Sequence, residues 1–388
     1  MLELAASISK EQGLIQGELG SVLVGLGIAA YVATRFRISV VPIFLIAGLF
    51  FGTGGIVALE LSDEFLDLGA QWGAILLLLM LGLEYSAEEL FGSVRKRKST
   101  GLVDLILNFA PGMAFGFIFG WGLVGALTLG GITYVSSSGI ASQLIKDSRL
   151  EGKESTKRAV SVLIIEDLFL APYLPVMSAL LATLGALTGF ISVSIALLVT
   201  GIALLIGAKG IHIPHAPMIM GDTATVLLTV FGSALVASGV ATYFGFSGAI
   251  AAFLVGLLLT GDVAIVARVR LAPLRDLFSA IFFLFFGLST DPDDIPAVLI
   301  PAIALAIFGV LSKWITAWWA VRDLEEDNAV GIAAALLIPR GEFSMVIAGL
   351  AATAIFAVEL QALTLTYVII TTLVSSVTMR IIDSKKNN

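Results

Sequence analysis

The segment LIPRGEFS at residues 337–344 places a proline, a glycine and two opposite charges inside an apolar run long enough to cross a membrane. Pro339 cannot donate a backbone hydrogen bond and clashes with the carbonyl four residues earlier, so it interrupts a helix. Gly341 adds flexibility between Arg340 and Glu342. Irregular backbone in a bilayer is tolerated only where it is buried in protein or lines a wet cavity. The segment therefore predicts an interrupted membrane helix at an internal polar site.

The composition excludes most classes of soluble protein. Of 388 residues, 58% are hydrophobic and 13% charged, whereas soluble domains are about half apolar and about a quarter charged. A net charge of −7 offers no basic surface for nucleic acid. The sequence has no cysteine for disulfides or thiolate metal sites, and two histidines cannot complete a three-ligand zinc centre. We therefore expect an all-α polytopic membrane protein in the lipid bilayer, with no cofactor and no nucleic-acid partner.

Hydropathy predicts thirteen membrane spans, because a bilayer helix needs about 20 apolar residues. The amino-terminal segment 1–19 is mixed polar and lacks the basic start and cleavage site of a signal peptide. The predicted spans are residues 20–35, 38–58, 66–83, 101–122, 124–146, 160–185, 187–208, 221–242, 245–261, 273–290, 297–321, 328–354 and 360–383.

Lysine and arginine follow alternate spans, and this bias predicts the orientation of the chain. Basic residues follow the odd-numbered spans, whereas the other loops carry acids or no charge, and only Lys10 lies outside. The amino terminus is therefore predicted outside and the carboxyl terminus inside, in the cytoplasmic membrane of a prokaryote. Six spans, one linker span at 187–208 and six further spans give an inverted repeat, which is typical of secondary transporters.

Span 5 is interrupted at the position that corresponds to the break in span 12. Residues 130–139 read GGITYVSSSG, in which glycine, β-branched and hydroxyl side chains all weaken a helix. Hydroxyls and freed carbonyls can bind a small cation, so Thr133, Ser136 and Ser137 are candidate ligands. Close packing of small residues against a neighbouring helix would explain the same segment without an ion.

Five charged residues are predicted inside the membrane: Glu166 and Asp167 in span 6, Lys313 in span 11, and Arg340 and Glu342 in span 12. A charge at mid-membrane costs at least about 3 kcal/mol, so it marks function by default. At 1.5 Å per residue these spans place their polar residues roughly 10–18 Å from the predicted cytoplasmic surface. We therefore predict one shared site.

The adjacent acids are expected to take different roles, because neighbouring helix residues point about 100° apart. We assign Asp167 to the transported metal cation and proton, and Glu166 to an ion pair with Lys313. Arg340 is predicted to neutralise Glu342 or the carbonyl ends of the broken helix. A purely structural salt-bridge network is the alternative.

Over about residues 20–383 the chain resembles the monovalent cation:proton antiporter family 2, which contains Kef-type potassium and NapA-type sodium antiporters. The matching motifs are LMLGLE at 79–84, the serines at 136–138, the acids at 166–167, GAIAAFLVG at 248–256, FFLFFGLS at 282–289, Lys313, and PRGEF at 339–343. The resemblance implies a NapA-like antiporter fold with two discontinuous, crossing helices. It also implies a homodimer.

The resemblance assigns roles to the two halves of the predicted repeat. Residues 20–83 and 221–290 would form the dimerisation domain, and residues 101–185 and 297–383 the core transport domain. The family has aspartate or glutamine where Glu166 stands, which leaves stoichiometry and ion preference open. Kef-type proteins carry a cytoplasmic nucleotide-binding domain. Such regulation would here need a separate cytoplasmic subunit or a removed tail.

We predict a secondary active transporter, not an enzyme, that exchanges Na⁺ or K⁺ for H⁺ by alternating access, with both ions competing for Asp167. A sodium-coupled organic anion symporter of related fold is an alternative. A cation channel is less favoured, since no carbonyl-filter sequence is present. A membrane aspartyl protease would need Asp104 to meet Asp167, but Asp104 is predicted only about three residues inside the cytoplasmic edge of span 4.

Overall fold

The structure is a computed structural model in which every described secondary-structure element is a helix. The described residues are 2–35, 39–52, 54–55, 63–84, 87–182, 193–194, 197–198, 200–202, 205, 222–243, 247–259 and 261–386. The first helices are α1 (Leu2–Arg35), α2 (Val41–Phe51), α3 (Asp63–Glu84), α4 (Ala87–Ile118), α5 (Gly122–Tyr134), α6 (Ser138–Asp147) and α7 (Glu154–Leu181). The later helices are α8 (Thr223–Tyr243), α9 (Gly248–Leu258), α10 (Asp262–Leu288), α11 (Ile295–Val321), α12 (Ala329–Leu337), α13 (Glu342–Leu350) and α14 (Ala357–Lys386).

Twelve of the thirteen predicted spans are present in these ranges. Eight helical stretches are long and apolar enough to cross a membrane, and two of them are the broken pairs α5–α6 and α12–α13. Shorter apolar helices at 20–35, 41–51, 68–84 and 248–258 match spans 1, 2, 3 and 9. The predicted linker span 187–208 lies largely outside the described residues. The protein is therefore an integral membrane protein with the predicted polytopic helical fold.

Helix packing falls into two groups. In the first, α3 packs against α9 and α10, α2 packs against α10, and α8 packs against α9. In the second, α4 packs against α5, α7 and α11, and α11 packs against α12 and α14. We call α1–α3 with α8–α10 the scaffold group, and α4–α7 with α11–α14 the site group. Contacts between the groups are sparser, and the largest set joins α14 to α2.

Two pairs of glycines allow the helix backbones of the scaffold group to touch. A Cβ on Gly82 of α3 would meet the backbone of α9 at Phe253 and Gly256. A Cβ on Gly48 of α2 would meet the backbone of α10 at Gly287. Small residues permit such close approach of membrane helices and gain van der Waals contact between them. One pair thus brings α3 against α9 and the other brings α2 against α10, with no side chain between the touching backbones.

The connection between α11 and α12 is fastened to the start of α7. Arg158 of α7 forms an ion pair with Asp323, with Nη2 3.0 Å from Oδ2. Glu326 accepts hydrogen bonds from the backbone nitrogen and hydroxyl of Ser155 at 3.0 and 2.7 Å, and from Lys153 Nζ at 3.0 Å. The hydrogen bond from Arg158 lowers the pKa of Asp323 to about 2. The connection thus holds two parts of the site group together at one end.

We expect Asp323→Asn to lower the thermal denaturation midpoint of the detergent-solubilised protein by the same amount at neutral and alkaline pH. The pKa of Asp323 is depressed in the folded protein, so its stabilising effect is complete above its ordinary pKa of 3.8 and is lost as the pH falls toward about 2. The difference from wild type should therefore shrink only in acid. The control is Asp327→Asn, an exposed acid of the same connection. A difference that changes between neutral and alkaline pH would contradict this account.

Candidate functional site

The two broken helices meet at their interruptions. The backbone nitrogen of Ser137 donates to the carbonyl of Pro339 at 2.8 Å, and the hydroxyl of Ser136 donates to the carbonyl of Leu337 at 2.7 Å. Both segments are buried, in agreement with the expectation that non-helical backbone at membrane depth lies inside protein. The sequence correctly predicts both interruptions, and the structure shows that each binds backbone groups freed by the other.

Arg340 satisfies carbonyl groups at the ends of both helices. Its side chain is fully buried, and its Nε and Nη2 donate to the carbonyl of Thr133 at 3.1 and 2.8 Å. Its Nη1 donates to the carbonyls of Leu337 and Ile338 at 3.0 and 2.8 Å. Of the two predicted partners of Arg340, the structure shows the carbonyl ends and not Glu342. A planar guanidinium with five donors suits this task, because it can reach several acceptors at once.

Glu342 is bound by the other broken helix instead. The hydroxyl of Ser137 donates to Glu342 Oε2 at 2.7 Å and also accepts from the backbone nitrogen of Ile140 at 3.2 Å, which caps α6. Glu342 is the first residue of α13, where the unpaired backbone N–H groups of a helix start favour a negative charge. Arg340 therefore does not pair with Glu342 as predicted, and the carboxylate is instead stabilised by the Ser137 hydroxyl and the start of α13.

Lys313 lies between two carboxylates in the interior of the site group. Its Nζ is 2.9 Å from Glu166 Oε1 and 2.8 Å from Asp104 Oδ1, and all three side chains are essentially inaccessible to solvent. Glu166 also accepts a hydrogen bond from the backbone nitrogen of Ser136, whose hydroxyl oxygen lies 3.2 Å from Glu166 Oε1. The predicted pair of Glu166 and Lys313 is thus present, and it is joined directly to the break between α5 and α6.

Asp104 was predicted to lie only about three residues inside span 4, too shallow to meet Asp167, but the structure places its carboxylate in the buried cluster, 2.8 Å from Lys313 Nζ. The apolar helix that carries it begins at Arg97, before the predicted start of span 4, so Asp104 lies deeper. Asn108, one turn later, donates from Nδ2 to Asp104 Oδ1 at 2.9 Å and accepts from Ser312 Oγ at 2.7 Å. The spacing of four between Asp104 and Asn108, which puts both on one helix face, was the available signal.

The remaining predicted residues line the same region. Asp167 follows Glu166 in α7 and is 4% exposed. Thr133 is buried, and its hydroxyl donates to the backbone carbonyl of Asn108 at 2.9 Å. Next to them, the ring of Tyr134 lies 5.7 Å from Lys313 Nζ and packs edge-on against Phe169. The buried charges thus have aromatic rings and hydroxyl groups as neighbours. Electrostatic interactions are strong in such a setting because the local dielectric constant is low.

Comparisons with known proteins agree with this architecture. A family model described as "Sodium/hydrogen exchanger, transmembrane" matches residues 19–383. The chain is 28% identical over 369 residues to the K(+)/H(+) antiporter subunit KhtU of Bacillus subtilis, which covers 91% of this chain and 90% of that one. It is 29% identical over 356 residues to the ammonium/H(+) antiporter subunit AmhT of Alkalihalophilus pseudofirmus, with coverage of 87% and 86%. Its fold matches the sodium proton antiporter MjNhaP1 from Methanocaldococcus jannaschii at pH 8, with a TM-score of 0.68 and 18% identity over 95% of this chain and 100% of that one.

We expect Arg340→Lys to destabilise the protein although it keeps the charge. A lysine ammonium cannot serve the carbonyls of both broken helices, and each buried carbonyl left without a donor costs about 1–3 kcal/mol. Thermal denaturation in detergent, followed by size-exclusion chromatography, measures the loss. The control is Arg322→Lys, which changes an exposed arginine stacked on Trp319. Equal denaturation midpoints for the two variants would contradict the role of Arg340.

Proposed function

The chain belongs to the sodium/hydrogen exchanger family, and from this premise we propose that it exchanges a monovalent cation for protons, with Asp167 binding the two ions in turn. Membership of this family makes it a transporter rather than an enzyme, and favours antiport over symport of an organic anion and over a channel. The observation that carries the assignment to Asp167 is the fixed ion pair of its neighbour Glu166 with Lys313. One acid of the pair holds the lysine, and the other serves the transported ions.

The proposed ligands of the cation come from the broken helix. Ser136, Ser137 and Thr133 place hydroxyl and carbonyl oxygens at the break after α5, and these are oxygen ligands of the kind that a dehydrated alkali cation needs. Arg340 supports this proposal because it holds the broken ends in place without being a ligand itself. Competition between cation and proton for Asp167 would couple the two flows without simultaneous binding.

Alternating access would arise from movement between the two helix groups. We propose that the predicted dimerisation domain, residues 20–83 and 221–290, which contains most of the scaffold group, forms a homodimer. The predicted core transport domain, residues 101–185 and 297–383, which contains most of the site group, would move against it, with 187–208 as the linker. The sparser packing between the groups supports this division.

We further propose an inverted repeat, with the amino terminus outside and the carboxyl terminus inside a prokaryotic inner membrane, because of the predicted charge bias.

The identity of the cation is proposed from the relatives. Na⁺ and K⁺ are both compatible with a site built from carboxylate and hydroxyl oxygens. Two relatives that align over most of this chain are named for K⁺ and ammonium, whereas the sodium antiporter is similar in fold alone. We therefore propose K⁺ as the preferred ion. Both of those relatives are named as subunits, which supports a partner subunit here as well, and we propose that this partner is cytoplasmic and regulatory.

We expect K⁺ to dequench a pH-sensitive dye in energised proteoliposomes that contain the wild-type protein, more strongly than Na⁺ or Li⁺. Asp167→Asn should abolish the response to all three ions, because an amide cannot exchange a proton for a cation. The control is Asp276→Asn, an exposed acid paired with Arg275. An Asp167→Asn protein that still exchanges ions would overturn the assignment, and a wild type that responds only with an organic anion present would favour symport.

We expect Lys313→Ala to change the pH profile or the voltage dependence of exchange rather than simply to abolish it. Loss of the ammonium leaves Asp104 and Glu166 without their shared cation, so the charge balance of the buried cluster changes. Exchange rates measured at imposed voltages and over a series of pH values test this. The control is Lys153→Ala, which removes a lysine at the start of α7. An unchanged voltage response and pH profile would exclude a role for Lys313 in coupling.

A further inference from the structure

A cleft of about 560 Å³ lies between the scaffold group and the site group. One wall comes from α1, α2, α3 and α10, and the other from α6 and the start of α13. Arg275 and Asp276 also line it, and their side chains are 41% and 68% exposed. Apolar residues such as Leu81 and Phe283 cover much of its wall. The proposed movement between the groups would take place along this cleft.

Glu342 lines the cleft, and no described basic group forms an ion pair with its carboxylate. Within the residues that the structure describes, no lysine or arginine nitrogen lies within 4.0 Å of its carboxylate. Glu342 is only 9% exposed, and its hydrogen bond from Ser137 is a neutral one. A charge at this depth is costly and requires a functional explanation. Ser137 and the helix terminus bring no full positive charge to Glu342, and a positively charged ligand that enters through the cleft would supply one.

The approach from the cleft to this carboxylate is kept open by a glycine. Gly139 in α6 is exposed and lines the cleft beside Glu342. A Cβ at this position would lie 3.1 Å from Glu342 Oε1, which is a tight contact. The absence of a side chain at residue 139 therefore leaves one carboxylate oxygen accessible, while the other oxygen is bound by Ser137.

We propose that Glu342 is a second cation-binding carboxylate, which takes a monovalent cation from the cleft before that cation reaches Asp167. Its ligands are the Glu342 carboxylate and the Ser137 hydroxyl oxygen, which lie 2.7 Å apart. Ser136, the residue before Ser137, binds Glu166, and Glu166 precedes Asp167 in α7. The break between α5 and α6 thus connects the carboxylate at the cleft with the buried acid pair. This inference rests on the proposed antiport.

Transport kinetics in oriented proteoliposomes test the site, with K⁺ supplied from the cleft side. Glu342→Gln keeps an oxygen that can accept the hydrogen bond from Ser137 but loses the charge. We expect it to raise the KM for K⁺ about tenfold, as the loss of one charged contact would, while exchange at saturating K⁺ persists. Gly139→Ala should raise the KM in the same direction by narrowing the approach without removing a charge. The matched control Asp276→Asn removes an exposed carboxylate that is already paired with Arg275, and it should leave the KM within about twofold of wild type.

A wild-type KM in both Glu342→Gln and Gly139→Ala would overturn the inference, as would an equal rise in Asp276→Asn, which would indicate a general surface-charge effect. If Glu342→Gln does not fold, Gly139→Ala alone still decides, because an unchanged KM there contradicts a site that Gly139 keeps open.

Tl⁺ soaks with anomalous diffraction separate this inference from the proposed function. We expect a Tl⁺ peak at the Glu342 carboxylate in the wild type and in Asp167→Asn, and none in Glu342→Gln. A protein that exchanges K⁺ for H⁺ but shows no Tl⁺ at Glu342 overturns the inference and leaves the proposed function standing. A protein with Tl⁺ at Glu342 that exchanges no cation overturns the proposed function and keeps the binding site.

Discussion

The structure depends on the need to satisfy backbone carbonyls at two helix breaks in a place where water cannot do so. A bilayer offers no hydrogen-bond donors, so each freed carbonyl must find a donor within the protein. Arg340 supplies donors to Thr133 on one helix and to Leu337 and Ile338 on the other. The serines at the first break bind the second directly. The two interruptions are therefore stable only together, and their meeting point becomes the polar centre of the membrane domain.

The ionic cluster beside the breaks follows the same logic. A lone lysine in this interior would be unstable, but Lys313 is bound by Asp104 and Glu166, and Asp104 is held in turn by Asn108. Breaking such a buried group by removing one partner costs several kcal/mol, whereas the intact set is tolerated. The cluster gives α4, α7 and α11 a fixed relation to one another. Asp167 and Glu342 are next to this cluster, since Asp167 follows Glu166 in α7 and Glu342 is bound by Ser137, the residue after Ser136.

The sequence was sufficient for the fold and for most of the site, because a proline, glycines and intramembrane charges are conspicuous in apolar segments. Both interruptions and the pair of Glu166 and Lys313 were predicted correctly. Asp104 was misjudged because the start of a membrane helix cannot be read from composition within one turn, and one turn moves a residue by about 5.4 Å in depth. The Ser137 partner of Glu342 was not predicted. Arg340 donates to backbone carbonyls instead, and no sequence pattern indicates which of these acceptors an arginine will bind.

The touching glycines of the scaffold group restrict how that group can vary. Where Gly82 meets the backbone of α9 and Gly48 meets that of α10, no rotamer can rearrange to make room for added volume. Bulk introduced on one helix could be accommodated only by moving the whole partner helix, and with it every residue packed behind it. Related chains should consequently tolerate substitutions at these glycines far less than at lipid-facing positions. The distance between the paired helices should therefore be nearly the same in all of them.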